Sequence, residues 1–332
     1  MGSAEATHSR GQQSTVVAAA QAGDESAFTA LVEPHRRELQ VHCYRMLGSL
    51  DDSEDLVQET LLRAWRKRAT FQGRSSFRAW LYRIATNACL DALARRPRPL
   101  PTAEVPWLQP YPDTLLEGIA PSEDEPDAML VARETIELAF MVAIQHLPPR
   151  PRAVLILRDV LDWSARDTAE LLESSVASVN SALQRARAAL KQHLPERRLE
   201  WAPGSDPSTE ELALLQRYMD ASDRGDADAV AALLRDDARF SMPPQPGLYV
   251  GREAIMAFWA EGGFGSEELG RFRCVPTSAN LQPAVACYLR RPGDSEYRAL
   301  ALDVLRIEGG AVAEIITFDS NVFPAFGLPA TL

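Results

Sequence analysis

The sequence is poor in the features that would place it in a membrane, in an oxidising compartment or around a metal. No apolar run approaches the roughly 18 to 20 residues that a membrane-spanning helix needs, so no membrane partner is expected. The opening residues, MGSAEATHSRGQQST, are small and polar and lack the apolar centre of a secretory signal, which points to the cytoplasm. Cysteine is scarce. Cys43, Cys89, Cys274 and Cys287 form no CxxC pair and none stands at zinc spacing from a histidine, so buried free thiols are expected and neither a disulfide framework nor a zinc site. The five histidines are His8, His35, His42, His146 and His193, which leaves the rear third of the chain with none for acid–base work. One glycine-rich stretch, EGGFGSEE, lacks the strand–loop–helix setting of a phosphate loop. No cofactor, no metal and no catalytic residue is therefore expected.

What the sequence has is strongly uneven charge. The net charge of −11 argues against a nucleic-acid partner only if it is averaged over the chain. Residues 63–98 carry ten Arg or Lys against Asp91 alone, a net +9, and residues 99–140 carry nine acids against Arg133, a net −8. Residues 205–332 are again acidic, with nineteen acids against eleven bases. A basic block next to an acidic one suggests a polyanion-binding element with an acidic neighbour.

Hydrophobic periodicity and proline clusters divide the 332 residues into several parts. A flexible tail (1–22) precedes an all-helical domain (23–98). The acidic, proline-rich stretch 99–128 breaks the helical pattern and acts as a linker. A second helical domain (129–196) and a short linker (197–208) follow. From 209 to 332 two helices lead into segments of strand character, ARFSMP, RFRCVPTS, AVACYLRR, YRALALDVLRI and AVAEIITF, which predict an α+β domain with a hairpin at Gly309–Gly310.

In the first helical domain, DDSEDLVQETLLRAW predicts a helix capped by Asp51 with Glu54 as its capping-box partner. Leu56, Val57, Thr60, Leu61, Ala64 and Trp65 form a core stripe. Asp55, Gln58, Glu59 and Leu62 share another face. The pattern alone allows a solvated face with one stray leucine or a docking face with an apolar anchor. The next segment, FQGRSSFRAWLYRIATNACLDALARR, places Phe77, Leu81, Ile84 and Ala88 at core spacing. Around them Phe71, Arg74, Ser75, Ser76, Arg78, Trp80, Tyr82, Arg83, Asn87, Arg95 and Arg96 supply cations, aromatic faces and small polar groups, the mixture that unstacked single-stranded DNA requires. Trp80 is equally compatible with a core position.

In the second helical domain, LPPRPRAVLILRDVLDWSARDTAELLESSVASVNSALQRARAAL reads as a helix-turn-helix, with Ser164 capping its first helix and ESS as the turn. Val176, Val179, Leu183, Ala186 and Leu190 are the expected inward face. Ser178, Asn180, Ser181, Gln184, Arg185 and Arg187 are left outward, the inventory that major-groove readout uses. In the rear domain, Asp303 alternates with Ala299, Ala301 and Leu305 and is expected to face inward. Tyr218, Phe240, Met242 and Trp259 are candidate lining of a pocket or members of a core.

Taken in order, these segments resemble the bacterial sigma-70 family, in its extracytoplasmic-function (ECF) class, over about residues 23–196. The resemblance implies that Asp55, Gln58, Glu59 and Leu62 dock on core RNA polymerase. It implies that the Phe71–Arg96 set melts and reads the minus-ten promoter element and that the Ser178–Arg187 set reads the minus-thirty-five element. The acidic linker would thread toward the polymerase's basic channel or serve as a tether. Family members often carry a base where this chain has Asn180 and another near Ala182, so its grip on phosphate is expected to be weaker. The rear segment resembles the SnoaL-like domain, a cone-shaped α+β fold with an apolar pocket. The fold class implied is two all-α sigma domains, a region 2 helical bundle and a region 4 helix-turn-helix, plus an α+β SnoaL-like cone. The partners implied are core RNA polymerase, promoter DNA, and for the rear domain a small-molecule ligand or an intramolecular contact, through which it regulates the rest. Two other readings stay open: an activator that uses only its helix-turn-helix, and a SnoaL-like enzyme fused to a DNA-binding module.

Overall fold

The computed structural model describes residues 15–73, 75–95, 108–116, 136–193, 208–243, 245 and 247–332. They divide between two compact units. The first holds the described residues up to 95 and from 143 to 193; the second holds 108–116, 136–142 and everything from 208 onward.

The first unit is all helix. It runs α1 (15–22), α2 (Glu25–Val32), α3 (Arg36–Leu47), α4 (Leu50–Lys67) and α5 (Phe77–Arg95). Asp24 caps α2 by accepting from the Ala27 N–H, and Gly48, at φ 70°, ends α3 in the left-handed conformation that glycine adopts without strain. Helix α4 begins earlier than its sequence suggests. Its cap is Ser49, which accepts from the Asp52 N–H, so Asp51 lies in the first turn, where its charge suits the positive helix end. Helix α3 is buried on all sides from Leu39 to Leu47, Gln40, His42 and Arg45 included. Burying polar groups requires partners: His42 meets the Thr86 hydroxyl at 2.9 Å, and Gln40 donates to Glu54 at 3.3 Å.

Further along, α6 (Leu138–Gln145) leads to α7 (Pro149–Leu155), which opens on a proline where the missing N–H costs nothing. A π-helical turn (Ile156–Val160) follows, then α8 (Ala165–Leu171) and α9 (Val176–His193). Buried Arg152 on α7 donates to the Met46 carbonyl at the end of α3 and to the Gln145 and Leu147 carbonyls, and Gln145 donates to the Arg45 carbonyl. One guanidinium thus ties the second helical segment to the first.

The second unit packs helices α10 (Thr209–Arg224), α11 (Ala227–Leu233) and α12 (Arg252–Glu261) on a six-stranded sheet. Its strands are β1 (Leu234–Ser241), β2 (Leu248–Val250), β3 (Arg271–Ala279), β4 (Gln282–Arg290), β5 (Arg298–Glu308) and β6 (Ala311–Asp319). The order is β2-β1-β6-β5-β4-β3, antiparallel except for the parallel β1–β6 pair. Helix α10 carries a full capping box, with Ser208 and Glu211 each accepting from the other's N–H. The β5–β6 hairpin turns on Gly309 and Gly310, both at positive φ as the sequence implies. Strand β4 is buried at eight consecutive positions, so both of its faces are covered. On one of those faces the C-terminal segment folds back: the Phe323 ring meets Tyr288 at 5.3 Å, and the Tyr288 hydroxyl donates to the Pro329 carbonyl.

Residues 108–116, which the sequence assigns to a linker, pack on the β3–β4 turn. Buried Asn280 donates its side chain to the Ile136 carbonyl and accepts from the Tyr111 N–H, while its own N–H reaches the Tyr111 carbonyl. Leu281 donates its N–H to Asp113, and Gln282 accepts from the Leu138 N–H. The turn residues Asn280 and Leu281 both have positive φ, at 54° and 59°. Asparagine tolerates that conformation, but for leucine it is strained.

Candidate functional site

Four groups of side chains carry candidate functional chemistry. The first lies on α4. Val57, Thr60 and Ala64 are buried and hold the helix to its neighbours, whereas Leu56, Leu61 and Trp65 are half-buried. Asp55 and Gln58 are exposed, and Leu62 keeps 52% of its surface open, among few large apolar residues that do so. Half-buried Glu59 accepts from Arg63 at 2.7 Å, and Arg63 continues to Asp91 on α5 at 3.0 Å. The four residues therefore form one accessible face, acidic and amide-bearing around an apolar centre.

The second group surrounds the start of α5. Phe71, Phe77 and Trp80 form a trio of half-buried rings, with centroids 5.4–5.5 Å apart. Trp80 thus packs against two other rings and still presents surface. Ser76 caps α5, its hydroxyl accepting from the Ala79 N–H, so it has a structural duty beside any contact with DNA. Ser75 is exposed and Asn87 half-buried. Arg83 reaches Glu170 on α8 at 2.9 Å, and Arg95 turns back to the Asp91 carbonyl. Arg74 and Arg96 lie outside the described residues.

Arg78, placed above among the cations of the DNA-binding mixture, has an interior partner instead. It donates to Glu38 at 2.7 Å, as do Tyr82 at 3.2 Å and His35 in close contact. Burial alone would raise the pKa of the Glu38 carboxyl, but His35 and Arg78 outweigh it and hold it below the usual carboxylate value. His42 nearby is pushed down to about 3, first by burial and then by the charges of Arg45 and Arg78.

The third group is α8, its turn and α9. Ser164 caps α8 by accepting from the Asp167 N–H, while its hydroxyl donates to the Asp167 carboxylate. Glu173, at φ 50°, makes the turn, and Ser175 caps α9 through the Ser178 N–H. Val179, Leu183 and Ala186 are buried as the spacing predicts. Val176 is 43% exposed instead, because it stands in the first turn, before α9 meets its neighbours. Ser178, Asn180, Ser181, Gln184, Arg185 and Arg187 are all exposed along the helix. Arg187 forms a two-point ion pair with Asp159, at 2.6 and 2.8 Å, and is the one member of this set engaged by a neighbouring carboxylate among the described contacts.

The fourth group lines a cavity of about 420 Å³ in the second unit. Tyr218, Phe240, Met242, Trp259 and Asp303 are brought together there, with Phe258, Phe264, Phe272 and Leu300 completing an apolar wall. Asp303 is 8% exposed. It accepts from the Thr317 hydroxyl at 2.5 Å, the Tyr218 hydroxyl at 3.0 Å and, weakly, the Cys287 thiol at 3.6 Å. Burial pushes the Asp303 carboxyl up, against the opposite pull of these three donors. Burial and the Asp303 charge likewise raise Tyr218. Cys287 faces Cys274 across β3 and β4, and that neighbour, burial and Asp303 all raise its thiol pKa. All four cysteines are buried and free.

Models of known protein families match three segments: Sigma-70 region 2 over residues 31–98, Sigma-70 region 4 over 137–190, and a SnoaL-like domain over 215–315. The ECF RNA polymerase sigma factor SigG of Mycobacterium tuberculosis is 42% identical over 323 residues, which span 92% of this chain and 85% of SigG. The chain belongs to the ECF RNA polymerase sigma factors. The ECF sigma factor SigW of Bacillus subtilis is 32% identical over 178 residues, 52% of this chain and 91% of SigW. The crystal structure of SigJ from M. tuberculosis shares the fold, with a TM-score of 0.61 at 23% identity over 91% of this chain and 99% of that one.

As an ECF sigma factor the protein directs core RNA polymerase to promoters and acts as an initiation factor. Its helix-turn-helix is the DNA-binding sigma region 4. Among the described residues no helix is long and apolar enough to cross a membrane, and no group of three potential ligands could hold a metal ion. Several residues of consequence escape sequence reading: Glu170 and Asp159, which hold Arg83 and Arg187; Thr317 and Cys287, which hold Asp303; and Asn280 and Asp113, which join the linker to the rear sheet. Only Asn280 leaves a signal, an asparagine between two strand-like runs, where turns are made.

Proposed function

We propose that this sigma factor works in the cytoplasm, grips core RNA polymerase through Asp55, Gln58, Glu59 and Leu62, and is governed by its own rear domain through the linker. The exposed, leucine-centred face of α4 supports the docking role. The ring trio with its flanking cations supports minus-ten recognition by Phe71, Ser75, Trp80, Arg83, Asn87 and Arg95, to which the sequence adds Arg74, Ser76 and Arg96. The exposed row on α9 supports minus-thirty-five readout by Ser178, Asn180, Ser181, Gln184, Arg185 and Arg187.

The observation that carries the regulatory reading is the attachment of residues 108–116 to the β3–β4 turn by Asn280 and Asp113. A linker held there is withheld from the basic channel that the family resemblance assigns to it. The experiment is run-off transcription with core polymerase, comparing the full chain with Asn280→Gly combined with Asp113→Ala. Glycine keeps the positive φ that the turn needs and removes the side-chain bonds. Promoter output is expected to rise several-fold. Unchanged output, with hydrogen exchange at residues 108–116 faster than in the parent, would end this reading.

A further inference from the structure

We propose that the cavity of the second unit is a receptor site for an apolar, ring-bearing organic cation, its ammonium group on Asp303 and its rings among Phe240, Phe258, Trp259 and Phe272. The proposal deepens the regulatory reading of the rear domain and rests on it for the site's consequence, but not for the binding itself. At about 420 Å³ the cavity falls within the range of small-molecule sites.

The choice of ligand charge follows from the company Asp303 keeps. A carboxylate offers about four acceptor positions. Thr317, Tyr218 and Cys287 take three of them, and all three are neutral donors. Among the described residues no Arg, Lys or His pairs with Asp303, and the one base that lines the cavity, Arg291, is exposed. Burial favours the neutral carboxyl and the three donors favour the ionised one, and among the described residues no cation balances its charge in this apolar surround, which is a costly arrangement. An entering ammonium supplies both the missing charge and the fourth hydrogen bond.

The walls suit the same ligand. The Phe240 ring lies 5.6 Å from Phe258 and 5.4 Å from Trp259, so these rings pack together in the lining of the same cavity as Asp303. Such faces attract cations through their negative quadrupole and stack on flat rings. An anionic ligand would meet Asp303 with like charge.

The test is calorimetry on the full chain at pH 7 with three probes of one shape: 2-naphthylmethylamine, 2-naphthylmethanol and 2-naphthoate. The amine is expected to bind at least tenfold more tightly than the alcohol or the acid. Asp303→Asn should bring the amine down to the level of the alcohol. Leu300→Trp, a substitution at a 38% exposed lining residue, should block all three by filling the entrance. An alcohol or acid that binds as well as the amine overturns the proposal, as does the absence of binding by any probe. The ranking on the parent chain decides the matter even if Asp303→Asn fails to fold. Amine binding without any change in run-off output would keep the site and sink the regulatory reading instead.

Discussion

At the scale of the residue, two side chains on neighbouring helices make opposite demands on solvent. Leu62 is half open to water and contributes little to the core, so Leu62→Asp should leave folding stability within about 0.5 kcal/mol of the parent. Affinity for core polymerase should fall at least tenfold, read by pull-down or fluorescence anisotropy; full affinity would refute the docking role of this face. His42 is wholly buried, and its pKa is held at about 3 against an ordinary 6.5. The unfolded chain takes up a proton below pH 6.5 that the folded one refuses until about pH 3. The contribution to stability is therefore complete above pH 6.5 and is lost progressively as pH falls toward 3. Between pH 7 and pH 5 the loss should be about 2 kcal/mol. Urea denaturation at the two pH values measures it, and the loss should shrink in His42→Gln.

At the scale of the element, caps and faces make separable contributions. Ser49→Ala should cost about 1 kcal/mol by removing the cap of α4, which denaturant unfolding of the full chain can resolve. On α9, Arg185→Ala should weaken minus-thirty-five binding by about 1–3 kcal/mol, read by mobility shift of the polymerase holoenzyme on promoter variants. Loss of affinity without loss of base preference would make Arg185 a phosphate contact rather than a reader. Most of these elements were legible in the sequence, because period and cap chemistry are local: the helices of both sigma regions, the Gly309–Gly310 hairpin and the inward set of α9 all follow from spacing. The start of α4 was misread because Ser49 and Asp51 are both competent caps and the sequence does not rank them. Strand β2 escaped notice because three residues show no period. Val176 matched the inward spacing, but a helix's first turn can extend beyond the surface that buries the rest. The five pocket residues were legible as apolar or alternating positions. The neutral donors that hold Asp303 come from distant elements, and no local pattern joins Thr317 or Cys287 to it.

At the scale of the whole molecule, charge partition and long-range pairing matter more than any single helix. The rear residues 205–332 are net acidic and the 63–98 block is net basic, so DNA is drawn to one segment and repelled by the other. Within the first unit, Arg83 is engaged by Glu170 rather than free for DNA. Both partners are largely exposed, so the pair is worth at most about 1 kcal/mol and exchanges readily for a phosphate. Glu170→Ala should therefore strengthen promoter binding by a few-fold at low salt, with the gain fading as salt rises. Equal affinity of variant and parent at every salt concentration would show that Arg83 takes no part.

The attachment of Tyr111 to Asn280 also has a dimension in time. The two residues stand 169 positions apart in the chain. At synthesis rates of about 5–20 residues per second, roughly ten to thirty seconds separate their emergence from the ribosome. In the later part of that interval, after residue 187 and before residue 280, both proposed promoter-reading segments have been made while the turn that holds residues 108–116 does not yet exist. If residues 108–116 restrain the factor as proposed, each molecule acquires that restraint last, and a polymerase that meets the nascent chain meets it before the hold forms.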